Sequence, residues 1–176
     1  MLSAARAGGE WAWRELYRET APSVDRYLRA RGVRDADDVV GDTFVNVVRS
    51  IDGFVGDETA FRAWVFAIAR NRATDEMRRA IRHPIVPASI EELDDRGPRG
   101  DVETEAMEGL VTDRIGRLLD RLTPDQRDVL LLRILGGLTI EQVAIAVGRK
   151  PGAVKMLQAR GVAAIRREIE RGAVTL

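Results

Sequence analysis

The sequence predicts an all-α fold of two small helical domains joined by an acidic linker, with a helix-turn-helix in the second domain. Three observations carry this. Apolar residues recur at three- and four-residue spacing along most of the chain, and no stretch alternates with period two for long enough to read as a strand. The periodicity fails from Pro84 to Leu110, where three of the six prolines and many acids gather. Two capping signatures, TPDQ at residues 123–126 and TIEQ at residues 139–142, then start helices in quick succession. The predicted divisions are a helical domain over 1–86, a linker over 87–112 and a second domain over 113–176.

The first helix runs from about Gly9 to Arg31, with Trp13, Leu16, Tyr17, Val24, Tyr27 and Leu28 as its apolar positions. Ala21-Pro22-Ser23 predicts a break and restart, because proline has no amide to donate, and Gly32 predicts the end. The next helix opens at DADD: Asp35 is placed to accept from first-turn amides, while Asp37 and Asp38 favour the positive end of the helix. Val40, Phe44, Val47, Val48 and Ile51 then form one apolar stripe, with Asp38, Asp42 and Arg49 on the opposite face. After the loop DGFVGDET comes FRAWVFAIARNRATDEMRRAIRH, whose Phe61, Trp64, Val65 and Ile68 predict a core stripe. Its remaining arginines need another explanation.

In the second domain Pro124 follows a capping Thr123, and the apolar run VLLLRIL is stopped by Gly136-Gly137. A short helix begins at Thr139 and ends at Gly148; another begins at Pro151, with Val154, Leu157, Gly161 and Ile165 along one face. Two short helices across a tight turn, the second one basic, form the helix-turn-helix pattern. Arg149, Lys150, Lys155 and Arg160 cluster at the start of the second helix. Lys150 cannot accept from first-turn amides, which leaves them for an anion such as a DNA phosphate.

Of the 176 residues 45% are hydrophobic, enough for a packed core, and 32% are charged, as expected of a globular, water-soluble chain. With no cysteine, disulfides and thiolate metal sites are excluded, and a reducing cytoplasm is the expected location. No signal-peptide core or membrane-length apolar run is present. The formal charge is zero, yet it comes in blocks. Asp35 to Glu58 carries a net −6 and Phe61 to His83 a net +4; Ser89 to Leu110 carries −6 and Arg149 to Arg171 +5. Neutrality thus conceals two basic surfaces, each preceded by an acidic one.

Catalytic chemistry finds no support. The carboxylates of DADD lie too close along a helix start to surround an ion, and capping accounts for them. His83, the one histidine, has no nucleophile or carboxylate pair at suggestive spacing, and no glycine-rich phosphate loop is present. No cofactor or metal is expected. The acidic linker reads as a solvated tether, or as a negative strand able to occupy a channel built for nucleic acid.

DADDVVGDTFVNVVRSIDGFVGDETAFRAWVFAIARNRATDEMRR resembles the promoter-melting domain, region 2, of bacterial sigma factors of the extracytoplasmic-function group. Its family pattern runs D-A-E-D-L-V-Q-E-T-F, then F-R-G, then F-R-A-W-L-x-x-I-A-R-N. LTPDQRDVLLLRILGGLTIEQVAIAVGRKPGAVKMLQARGVAAIRRE is similar to region 4, the helix-turn-helix domain of the same group. The likeness covers nearly the whole chain, in the family's order.

The resemblance implies a non-enzymatic protein that binds core RNA polymerase, directs it to the −35 and −10 elements of promoter DNA and opens the duplex. It implies an anti-sigma factor as a further partner. By position, Asp38, Asp42, Asn46 and Arg49 would dock on polymerase. Phe54, Gly56, Asp57 and Thr59 belong to the loop that would receive a base flipped from the −10 element. Asn71, Asp75, Arg78, Arg79 and Arg82, at i, i+4, i+7, i+8 and i+11, would follow the opened strand. Arg149, Lys150, Ala153, Lys155, Met156 and Arg160 would face the −35 duplex. Four features depart from the family: Gly41-Asp42 replaces Gln-Glu, Lys150 a serine cap, Leu157-Gln158 an Arg-Leu pair, and Val55 a frequent basic residue. The alternative is a helix-turn-helix regulator that binds duplex DNA without polymerase, which accounts for the second domain but leaves the aromatic and basic helix unexplained.

Overall fold

The computed structural model describes residues 1–82 and 118–171, and every regular element among them is helical. The expected linker over 87–112, the domain edges beside it and His83 lie outside the described residues. The first half contains α1 (Leu2–Arg6), α2 (Glu10–Arg31), α3 (Ala36–Ser50), a 3-10 turn at Ile51–Gly53, and α4 (Glu58–Arg82). The second contains α5 (Pro124–Ile134), α6 (Ile140–Val147) and α7 (Pro151–Glu170).

Several local expectations need correction. Helix α2 passes through Pro22 without a break. A proline inside a helix costs about 3 kcal/mol, but Ala21, Ser23, Val24, Tyr27 and Leu28 are all buried around and beyond it. Their burial holds the helix together. In α3 the buried face is rotated away from Val48, which is half exposed, toward Val39 and Thr43. Thr43 tolerates burial because its hydroxyl donates to Val39 O at 2.7 Å. Tyr17, expected in the core, is also half exposed, its ring 4.6 Å from that of Phe44. Asp35 sits at the N-cap of α3, but its side chain makes no capping hydrogen bond. The neighbouring Asp37 instead binds Arg29 Nη2 at 2.8 Å. Helix α1 has no counterpart among the sequence expectations; Leu2 and Ala5 bury it in the common core.

The second half follows its capping signals closely. Thr123 and Gln126 form a reciprocal capping box on α5, and Thr139 and Gln142 form another on α6. Gly148 ends α6 at φ 64°, a left-handed conformation that glycine adopts without a Cβ clash, and the chain turns directly into α7. Val154 and Gly161 are buried, and Leu157 and Ile165 are partly buried against the core.

The buried apolar residues of both halves form one continuous core, from Leu2 through Phe66 and Leu132 to Val154. Burial of such side chains is the main source of stability, at about 1.5–3 kcal/mol each. Helix α6 packs along α4, and α5 packs against α2. This leaves the loop after α3, the far end of α4 and the start of α7 at the surface.

Candidate nucleic-acid interface

Basic side chains on two different helices, with an aromatic-backed loop beside one of them, make up the candidate site. The loop before α4 is built on a stack of rings. Phe54 is only 8% exposed; it stacks on Trp64 with centroids 4.8 Å apart and meets Phe61 edge-on at 5.8 Å. Phe54 therefore supports the loop from beneath and offers no open face to a base. Arg6 closes the other side: its guanidinium lies 5.8 Å from the Phe54 ring centroid and donates to Phe54 O. Above this floor Val55 is 93% exposed, and Gly56, Asp57 and Thr59 are exposed with it.

Gly56 is required at its position. It has φ 152°, and a Cβ there would come within 2.7 Å of Ala60 Cβ and 2.9 Å of Phe54 Cζ. Asp57 acts as the N-cap of α4: its Oδ1 accepts from Ala60 N at 2.8 Å, and its carbonyl accepts from Phe61 N at 2.9 Å. One carboxylate oxygen is thereby committed to the helix. Thr59 O accepts from Gln142 Nε2 at 2.9 Å, which ties the loop to α6.

Helix α4 changes character along its length. Phe61, Val65, Phe66, Ala69 and Ala73 are buried, whereas Asn71, Asp75, Arg78, Arg79 and Arg82 are all exposed. Arg79 lies 3.9 Å from Glu76, and Arg82 Nε donates to Arg78 O at 3.3 Å. Asp75 adds an acid to this otherwise basic face.

The start of α7 presents the second basic surface. Arg149, Lys150, Lys155, Met156 and Arg160 are exposed and Ala153 is half-buried. Lys150 is the N-cap and makes no side-chain cap hydrogen bond. Not every amide of the first turn is free, since Ala153 N and Val154 N both donate to Lys150 O at 3.0 and 3.2 Å. Pro151 has no amide, so the outward donor of that turn narrows to Gly152. Arg149 is paired with Asp125 of α5 at 2.5 Å and is less available than its exposure suggests. On α3, Asp38, Asp42 and Arg49 are exposed, and Asn46 is half-buried with its amide donating to Asp42 O at 2.8 Å. At four- and three-residue spacing they lie on one side of that helix.

Sequence reasoning missed a polar cluster between the halves. Asp128, 3% exposed, accepts from Arg70 Nε at 2.8 Å and from Tyr27 OH at 3.5 Å, and forms an ion pair with Arg31, whose Nε lies 3.0 Å away. Burial and the adjacent Asp128 carboxylate hold the Tyr27 phenol neutral, well above the usual tyrosine range. Arg62, also partly buried, donates to Gly136 O at 3.0 Å; desolvation lowers its guanidinium below the ordinary arginine value. A legible signal existed: Arg31 and Arg70 each follow a core aromatic, Tyr27 and Phe66, by one helical turn. Among the described residues no group of three or more His, Cys, Asp or Glu could hold a metal ion, and no helix is long and apolar enough to cross a membrane.

Residues 16–83 match the family model for sigma-70 region 2, and residues 112–165 match that for sigma-70 region 4. The extracytoplasmic-function RNA polymerase sigma factor SigD of Mycobacterium tuberculosis is 32% identical over 96% of this chain and 82% of its own length. The sigma factor BldN of Streptomyces coelicolor is 31% identical over 95% of this chain, which spans 64% of BldN. Among solved structures, CnrH in complex with the cytosolic domain of CnrY superposes with a TM-score of 0.74 at 24% identity, covering 97% of this chain and 95% of CnrH. The sigma factor RpoE of Bartonella quintana, in complex with the anti-sigma factor NepR, gives 0.67 at 20% identity over 90% and 97%. These two likenesses concern the fold.

Proposed function

This chain belongs to the extracytoplasmic-function sigma factors of the sigma-70 family, and we propose that it binds core RNA polymerase, engages −35 and −10 promoter elements and opens the DNA between its two basic surfaces and the polymerase. The observation that supports this most is helix α4. Its aromatic half is buried in the domain while its continuation carries Asn71, Asp75, Arg78, Arg79 and Arg82 into solvent, beside a loop whose tip is exposed. A regulator that only read duplex DNA would need α6 and α7 but not this second surface.

In the proposed roles, Gly56, Asp57 and Thr59 shape the rim that takes a base flipped from the −10 element, with Phe54 as the floor beneath. Extruding a base costs a few kcal/mol, which stacking and pocket hydrogen bonds can return, so strand opening proceeds without nucleotide hydrolysis. The α4 arginines then follow the separated strand by charge. Lys150, Ala153, Lys155, Met156 and Arg160 face the −35 duplex, with Arg149 joining once released from Asp125. Asp38, Asp42, Asn46 and Arg49 dock on polymerase. No step transforms a substrate, so the protein acts as an initiation factor, working in the cytoplasm where polymerase and promoter are found. An anti-sigma factor that covers the polymerase-binding faces is the natural regulatory partner. Run-off transcription with purified core polymerase and a promoter library tests the reading. Promoter-specific initiation is expected; failure to join core polymerase would refute it, and sequence-specific duplex binding without polymerase would favour the regulator.

A further inference from the structure

The loop proposed to take a base from the −10 element is poorly charged for that task. From Phe54 to Thr59 it holds Asp57 and Glu58 and neither lysine nor arginine. A strand laid over it brings phosphates toward two carboxylates. Such a rim repels the polyanion it seats unless another element supplies a cation.

Helix α1 supplies one. It lies ahead of residues 16–83, which match region 2, and none of the roles given above includes it. Five residues do not hold a helix in isolation, but this one is fixed at both ends. Leu2 and Ala5 are buried in the common core. Two backbone bonds close its C-terminal end, from Gly8 N to Ala5 O at 3.0 Å and from Gly9 N to Ala4 O at 2.9 Å. Arg6, its last residue, therefore projects from a set position. Its Nη2 donates to Phe54 O, and its guanidinium lies 5.8 Å from the Phe54 ring centroid. Arg6 is otherwise exposed, and among the described residues no carboxylate pairs with it.

That choice of partner matters. A guanidinium carries five N–H donors in one plane, and the bond to Phe54 O uses one of them. A neutral carbonyl holds the group in place without cancelling its charge. Arg149, by contrast, already faces the carboxylate of Asp125. An edge of Arg6 thus remains for an anion, next to the peptide that leads into the exposed Val55. A base seated over the Phe54 floor carries its flanking phosphates to this rim.

We propose that Arg6 is a −10 residue: it binds a phosphate of the opened strand beside the extruded base, while its bond to Phe54 O holds the loop in shape. This rests on the sigma-factor reading. The ring and carbonyl of Phe54 pre-orient the guanidinium, so little side-chain freedom is lost when the phosphate arrives. The −10 surface then draws on α1 as well as on α4.

The test uses core polymerase loaded with the full chain, and a single-stranded oligonucleotide carrying the −10 element of a promoter selected by run-off transcription. Arg6→Gln should lower the slope of log affinity against log salt by about 0.7, the value for one phosphate of a single strand. So should Arg6→Met, which keeps the apolar stem over Phe54. Between 50 and 200 mM salt their affinity then falls roughly 2.6-fold less than that of the unmodified chain. Arg6→Lys keeps the charge and should keep the slope. Val55→Arg added to Arg6→Gln returns a cation to the same rim and should restore it. Replacing single phosphates of the oligonucleotide by neutral methylphosphonates locates the contact: one such linkage should weaken binding of the unmodified chain and leave Arg6→Gln unaffected. A residue that only braces the loop would leave the slope unchanged and would respond to Lys as to Gln.

An unchanged slope in Arg6→Gln and Arg6→Met overturns the proposal, as does equal loss in Arg6→Lys or no recovery with Val55→Arg. Far-ultraviolet circular dichroism identifies any variant that has not folded. Should both neutral variants fail to fold, the methylphosphonate scan of the unmodified chain decides, and the absence of a sensitive linkage beside the extruded base overturns the phosphate contact. Failure of the unmodified chain to direct initiation would instead refute the sigma reading.

Discussion

Replacing Lys150 with Ser should make the protein more stable and worse at binding DNA, a combination that follows from where the residue sits. Lys150 occupies the N-cap of α7 with φ −73° and ψ 148°, the backbone geometry from which a serine hydroxyl reaches the amide of the second or third helical residue. The lysine makes no such bond, so Lys150→Ser adds a cap worth about 1 kcal/mol. For a chain of this length that raises the melting temperature by roughly 2–4 °C. The same change removes one cation from the −35 surface and engages the Gly152 or Ala153 amide. Losing one phosphate contact lowers the slope of log affinity against log salt by about 0.9, so the fall in affinity between 50 and 200 mM salt shrinks by roughly 3.5-fold. Fluorescence anisotropy of a labelled −35 duplex at several salt concentrations reads the slope, and a circular dichroism melt reads the cap. Lys150→Ala separates the two effects, with the slope changed and no gain in stability. An unchanged slope in both variants would refute the placement of this helix start on a phosphate, and a lower melting temperature for Lys150→Ser would refute the capping geometry.

Other variants probe the remaining surfaces. Arg78→Ala with Arg79→Ala should reduce permanganate-detected strand opening by about tenfold with little change in core-polymerase affinity; equal loss of both would mark this face as structural or polymerase-facing. Lys155→Ala should flatten the salt dependence of promoter binding by about one unit of slope, and an unchanged slope would remove it from the phosphate contacts. Phe54→Ala should cost about 3–5 kcal/mol by leaving Trp64 and Phe61 unpacked, lowering the melting temperature by roughly 6–20 °C. A shift below about 2 °C would mean that the ring does not carry the loop.

The legible parts of the fold were those set by local chemistry. Both capping boxes, the turn at Gly148, the core stripe of α4 and the outward phase of Asn71 to Arg82 depend on residues within a turn or two of one another, and the sequence contains those neighbours. Other features depend on distant partners. Nothing near Pro22 reveals that the residues beyond it are buried deeply enough to carry the helix through. The exposure of Val48 depends on the direction from which α4 approaches α3. Phe54 reads as a loop residue until Trp64 is stacked on it. Asp128 is hardest of all, because it stands beside an apolar run and its partner Arg70 is 58 residues away in sequence. The assignment of individual residues to DNA or polymerase came from family likeness, since exposure and charge alone give the same picture for a strand-contacting arginine as for a solvating one.

Because α4 is one unbroken helix, its two halves are geared together. The arginines have no freedom to choose their bearing; it is set by the rings of Phe61 and Phe66, locked in the core several turns upstream. From Asn71 to Arg82 the helix advances roughly 17 Å at 1.5 Å per residue, which matches about five nucleotides of stacked strand. One residue inserted after Ala69 would leave composition and charge almost untouched but turn that face through about 100°, pointing Arg78 and Arg79 sideways. The packing of the interior thus serves as the index mark from which the reading of an opened strand is measured.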